Sequence, residues 1–74
     1  MSEYIEFRKI EEKPKTNVYA VINKSYGNRL GVIKWYSNWR KYCFFPKSET
    51  LFETKCMYAI VEFIENLMEE RKNK

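Results

Sequence analysis

Histidine, aspartate and glutamine are absent from this chain, and alanine, glycine, proline and cysteine occur twice each. These absences exclude chemistry. Without His or Asp, neither a Ser-His-Asp nor a Cys-His arrangement can be assembled. All ten acidic residues are Glu, and zinc loses its commonest nitrogen ligand, which leaves only Cys43 and Cys56 as sulfur donors. Those two lie 13 residues apart with no Cys-x-x-Cys spacing. They are expected to be mostly buried, reduced thiols, with a single disulfide as the alternative. Two glycines make no Gly-rich phosphate loop. The longest uncharged apolar run, Cys56 to Val61, is six residues, whereas a membrane span needs about 20. A Glu pair could exchange protons, but most Glu residues fall on one helix stripe or near the termini, where solvation is their plain role. No enzyme activity, metal or cofactor is expected.

What the chain has in quantity is aromatic residues: five Phe, six Tyr and two Trp, 18% of 74 residues. Disordered chains are poor in such residues. The length allows a single domain, 1–74. A domain of this size buries only about 60% of the surface it exposes when unfolded, so a second copy would add stability. The opening Met1-Ser2-Glu3-Tyr4 lacks a basic and apolar leader pattern, which leads to the expectation of a cytoplasmic location.

Strand patterns come first. Tyr4 to Ile10 alternates imperfectly, Thr16 to Asn23 is rich in β-branched and aromatic residues, and Leu30 to Tyr36 and Arg40 to Phe45 follow. Glu11 to Lys15, with Pro14, reads as a connection; Gly27-Asn28 reads as a two-residue hairpin turn and Ser37-Asn38-Trp39 as a second turn. Pro46 stops the fourth strand, and Thr50-Leu51-Phe52 is a candidate short extra strand. From Glu53 or Thr54 to about Arg71 the period becomes helical. Lys55, Tyr58, Glu62, Glu65, Asn66 and Glu69 form one polar stripe, while Cys56, Met57, Ala59, Ile60, Phe63, Ile64 and Leu67 fill the remainder. Glu53 suits the positive end of the helix and Arg71 and Lys72 the negative end; residues 72–74 should fray. The expected fold is α+β: an antiparallel β-meander of three to four strands, about 4–52, with one C-terminal helix, about 53–71, packed on one face.

Centring the first hairpin on Gly27-Asn28 sets Ile22 opposite Ile33 and Ala20 opposite Trp35. Centring the second on Asn38-Trp39 sets Trp35 opposite Tyr42 and Ile33 opposite Phe44. The expected core face is then Ala20, Ile22, Ile33, Trp35, Tyr42 and Phe44, covered by Ile60, Phe63 and Leu67. Trp35, Phe44, Ile60 and Phe63 should be among the least exposed residues. Tyr19, Val21, Val32, Lys34, Tyr36, Cys43 and Phe45 go to the opposite face. A one-residue slip exchanges the two faces.

Charge is divided. Residues 1–47 carry ten Lys/Arg against four Glu, a net of +6, and residues 48–74 carry four against six, a net of −2, which together make the overall +4. Cations interleaved with rings suit phosphates and stacked bases. The candidate ligand-binding residues are Lys34, Tyr36, Trp39, Arg40 and Lys41, with Lys24, Arg29 and Tyr26 as further members. The ligand class is single-stranded nucleic acid or a nucleotide. The alternative is an aromatic hot spot for a protein partner, for which Trp, Tyr and Arg are the favoured anchors. A solvated basic face and a Trp39 that merely caps the sheet are the plain readings of the same residues. The helix, apolar on all but one stripe, and the uncovered second sheet face point to a homodimer.

Three segments carry a resemblance. Gly31-x-Ile33-x-Trp35, Trp39-Arg40-x-Tyr42 and Phe44-x-Pro46, followed by an amphipathic helix led by Cys56, resemble a group of small phage and prophage proteins of low-GC bacteria over about residues 30–68. The abundance of Lys, Asn, Ile, Glu, Tyr and Phe agrees with AT-rich coding. The resemblance implies an accessory protein made in the host cytoplasm, and brings no catalytic or binding residues with it. A phage-encoded inhibitor or modulator of a host protein, such as a defence protein, is one form this takes.

Overall fold

The alternation of apolar and polar residues resolves into four strands: β1 (Ile5–Glu12), β2 (Asn17–Asn23), β3 (Arg29–Tyr36) and β4 (Lys41–Pro46). These are followed by one helix, α1 (Thr54–Lys72), in a computed structural model that describes residues 4–52 and 54–72. The strands pair antiparallel in the order β1-β2-β3-β4, and α1 lies across one face, so the fold is α+β as expected. Short connections enforce the antiparallel order, because parallel neighbours need a long crossover. Glu53, expected at the head of the helix, lies outside the described residues, as do residues 73–74. Lys72, expected to fray, ends the helix.

The β3–β4 register is as expected, with Ile33 opposite Phe44 and Trp35 opposite Tyr42. The β2–β3 register is not. Ile33 pairs with Tyr19 rather than Ile22, and Ala20 pairs with Val32 rather than Trp35. Local hydrogen bonding explains the difference. The Asn23 side-chain oxygen accepts from the Ser25 and Tyr26 amides, at 2.8 and 3.1 Å. The Gly27 amide donates to Asn23 O at 2.7 Å, with Gly27 at φ 75°. The side chain of Asn23 thus builds a five-residue connection, 24–28, in place of a two-residue turn. A bulge at Leu30, between Arg29 and Gly31, adds a further offset. The slip is an odd number of residues, so β2 turns over. Tyr19 and Val21 face the helix, and Ala20 and Ile22 face outward.

The core therefore contains Ile5, Val21, Leu30, Ile33 and Tyr42 from the sheet and Cys56, Ile60 and Leu67 from α1. Trp35, Phe44 and Phe63, expected among the least exposed residues, are half-buried at its margin; of that expected set only Ile60 is buried. Large rings are seldom wholly enclosed by a single helix. They pack through ring contacts instead. Phe63 stacks on Phe7 at 4.1 Å between centroids and meets Tyr19 edge-on at 5.0 Å. Trp35 meets Tyr42 edge-on at 5.5 Å. The buried Tyr42 hydroxyl accepts from the Asn17 amide at 3.2 Å, which compensates its lost water.

Thr50-Leu51-Phe52 does not form the extra strand. The Thr50 hydroxyl donates to Lys47 O at 2.9 Å, Glu49 sits at φ 59°, and the chain turns away after Pro46. Leu51 is left 94% exposed, while Phe52 sets its ring edge-on to Phe44 at 5.3 Å. The two cysteines lie on opposite faces of the sheet: Cys56 is in the core, and Cys43 is beside Lys34 on the outer face. At the far end of β1, Lys9 Nζ lies 2.8 Å from Glu12 Oε1. Their hydrogen bond and mutual charge raise the Lys9 pKa and lower that of Glu12. A depressed carboxylate favours the folded state above its ordinary range and loses that effect as pH falls through the folded value. Both groups are in open water, so salt screens the pair.

Two tests follow from the packing. A Cβ at Gly31 would stand 2.5 Å from Phe45 O and 2.8 Å from the Phe44 ring. Gly31→Ala should destabilise by about 1–3 kcal/mol in a urea titration, since β4 must move to admit it. At the last turn of α1, the Arg71 guanidinium lies 4.1 Å from the Trp35 ring centroid and donates to Lys15 O at 2.8 Å. Arg71→Ala should cost about 1–2 kcal/mol, because it removes both the ring stacking and the hydrogen bond. Arg71→Lys should recover little of it, because an ammonium cannot stack as a plane.

Candidate functional site on the outer face of the β3–β4 hairpin

The face of the sheet turned away from α1 carries no covering element among the described residues. Alternation places Lys34 and Tyr36 of β3 and Cys43 and Phe45 of β4 on it, and the register sets Lys34 opposite Cys43 and Tyr36 opposite Lys41. The side chains form one continuous chain of contacts. Lys34 Nζ lies 4.8 Å from the Phe45 centroid. Phe45 meets Tyr36 at 6.2 Å, and Tyr36 meets Trp39 edge-on at 5.1 Å. The Asn38 amide donates to the Tyr36 hydroxyl at 3.2 Å, which fixes the ring against the turn. Trp39 is 66% exposed.

The turn that presents Trp39 is local in origin. The Trp39 amide donates to Tyr36 O and the Arg40 amide to Ser37 O, each at 3.2 Å. Arg40 closes the four-residue connection at φ 53°, a conformation that side chains other than Gly adopt at a cost. Arg40 and Lys41 are both exposed. Lys41 stands at a corner: it is paired across from Tyr36, and it also borders a shallow depression of about 380 Å³ with Tyr42, Ile64, Glu65 and Met68.

Of the residues expected to bind ligand, Lys34, Tyr36 and Trp39 are thus brought into one cluster, and Arg40 and Lys41 flank it. Tyr26, Lys24 and Arg29 are not part of it. They lie at or beside the β2–β3 connection, the opposite end of β3 from Trp39. Phe45 and Asn38 belong to the cluster although neither stood among the expected site residues. The alternation of β4 about the correctly expected β3–β4 register already put Phe45 beside Lys34. The larger concavities are elsewhere. One, of about 820 Å³, lies between the β1–β2 connection and the end of α1, and another, of about 800 Å³, between β1 and α1.

Taken together, these features define a small α+β protein with a basic, aromatic open sheet face. The chain is 39% identical over 72 residues to an uncharacterised 9.3 kDa protein of Acholeplasma phage L2, a match covering 96% of this chain and 92% of that one. The chain belongs to the family of that phage protein. No protein-family model and no solved structure matches it. No helix among the described residues is long and apolar enough to cross a membrane.

The left-handed Arg40 generates a test that separates the turn from its charge. Arg40→Gly should raise stability by about 1 kcal/mol, read as a higher urea midpoint, because Gly adopts this φ without steric cost. A lowered midpoint would show that the arginine side chain holds the turn.

Proposed function

We propose that the protein is a non-enzymatic accessory factor, acting in the host cytoplasm, whose outer β3–β4 face binds single-stranded nucleic acid. The observation that carries this reading is the run from Lys34 through Phe45 and Tyr36 to the exposed Trp39, flanked by Arg40 and Lys41. Single strands are bound by rings that stack on bases, at about 1–3 kcal/mol per base, and by cations that follow the backbone. In this reading Trp39 stacks a base, Tyr36 braces Trp39, and Arg40, Lys41 and Lys34 meet phosphates. An extended strand is favoured over a mononucleotide, because the cluster runs along the sheet from Lys34 through Phe45 and Tyr36 to Trp39, whereas small-molecule sites are concave. The rival reading, a docking site for a host protein, rests on Trp39 beside Arg40, a pairing typical of interface anchors.

Salt separates the two. For a single-stranded oligonucleotide, replacing Arg40 and Lys41 together with Ala should weaken binding and reduce the slope of log K against log salt by roughly 0.7 for each phosphate no longer neutralised. Trp39→Ala should weaken binding with the slope unchanged, since stacking releases no counterions. Fluorescence anisotropy at several salt concentrations reads both. No binding to oligonucleotides at low salt, together with capture of a host protein that Trp39→Ala abolishes, would replace this function with the protein-docking one.

A further inference from the structure

The concavity of about 820 Å³ between the β1–β2 connection and the end of α1 is lined by polar groups that neighbours already hold in place. They include Lys15, Thr16, Asn17, Tyr19, Tyr42 and Arg71. The Asn17 side-chain amide donates to the Tyr19 hydroxyl at 3.1 Å, and the Asn17 backbone amide donates to the Tyr42 hydroxyl at 3.2 Å. Arg71 is fixed from two directions. Its guanidinium lies 4.1 Å from the Trp35 ring centroid, and one of its N–H groups donates to Lys15 O at 2.8 Å. Leu67 and the tyrosine rings add an apolar part to the wall. A concave surface with a few placed polar groups on a partly apolar wall is the form of a small-molecule site.

The charges lining it do not cancel. Glu12 is engaged by Lys9 at 2.8 Å, and Lys13 faces Glu11 at 3.7 Å. Lys15 and Arg71 then stand against Glu70 alone. An arginine drawn out of solvent is ordinarily matched by an acid. Arg71 is half-buried and has no carboxylate partner among the described residues. A guanidinium carries five N–H donors in a fixed fork, and the Lys15 carbonyl takes one of them. The others are suited to two oxygens of one phosphate or carboxylate. Lys15 adds a second positive charge, which favours a phosphate monoester, with about −1.5 to −2 charges at neutral pH, over a carboxylate. A cation in the last turn also complements the negative end of a helix. That role needs neither a fixed plane nor a cavity, and Lys72 fills it as well.

We propose that this cavity binds the phosphate group of a small phosphate monoester. Arg71 holds two of its oxygens, Lys15 supplies the second positive charge, and the apolar wall receives the organic part. Glu70 and the carbonyl end of α1 work against an anion, so both cations are needed. The site is separate from the outer-face cluster. Lys34, Tyr36 and Trp39 are directed away from α1, whereas α1 forms one wall of this cavity. The proposal does not depend on the nucleic-acid reading.

Nitrogen–proton correlation NMR of the full chain, titrated at low salt with inorganic phosphate, phenyl phosphate and acetate, tests it. The Asn17 side-chain amide and the Arg71 Nε–H should shift saturably with both phosphates, in the low-millimolar range for inorganic phosphate and more tightly for phenyl phosphate. Acetate should bind more weakly than either. Arg71→Lys keeps the charge and loses the fork, and should weaken phenyl phosphate binding roughly tenfold. Should circular dichroism show that this variant departs from the parent fold, Lys15→Ala, at an exposed position, carries the test and should weaken binding roughly fivefold. Lys72→Ala removes the same charge outside the cavity and should leave binding unchanged. Shifts that do not saturate overturn the proposal. So do acetate binding as tight as that of phosphate, and equal losses in Lys15→Ala and Lys72→Ala, which would show diffuse charge rather than a site.

Discussion

Two hydrogen bonds from the Ser25 and Tyr26 amides to the side chain of Asn23 decide the arrangement of this protein. They lengthen the β2–β3 connection to five residues and, with the bulge at Leu30, set which face of β2 meets the helix. Tyr19 and Val21 then join Phe7, Ile33 and Tyr42 on the side that α1 covers. With the other register, Ala20 and Ile22 would fill that place. Phe63 would lose the Tyr19 ring it meets at 5.0 Å, and its stacking on Phe7 would stand alone.

Among the described residues there is one helix for two sheet faces. The covered face is closed by the buried core from Ile5 to Leu67 with ring contacts around it, and its margin is pinned by Arg71, which stacks on Trp35 and holds the Lys15 carbonyl. The outer face is closed locally instead. Ala20 and Val18 are buried there, although neither belongs to the core cluster. Toward β3 and β4 that face becomes basic and aromatic, and it ends in the exposed Trp39. Burying one face well and leaving the other solvated is the ordinary arrangement of an antiparallel sheet. Here the solvated side carries the Tyr36, Phe45 and Trp39 rings in one chain of contacts.

Much of this was legible in the sequence. The order of four strands and a C-terminal helix followed from periodicity, and the β3–β4 register from pairing Trp35 with Tyr42 and Ile33 with Phe44, because that hairpin's turn is centred where the pattern changes. Lys34, Tyr36 and Trp39 could be placed together on that basis, and Phe45 was within reach of the same alternation. The facing of β2 was not legible. Val18, Ala20 and Ile22 on one side and Tyr19 and Val21 on the other are all apolar, so alternation carries no sign there. The choice lay with a side-chain-to-backbone turn at Asn23 and a bulge at Leu30, neither of which has a hydrophobic signature. The sequence alone determined the elements and one hairpin; tertiary structure decided which side of β2 is inside, because only the closed turn counts the residues between strands.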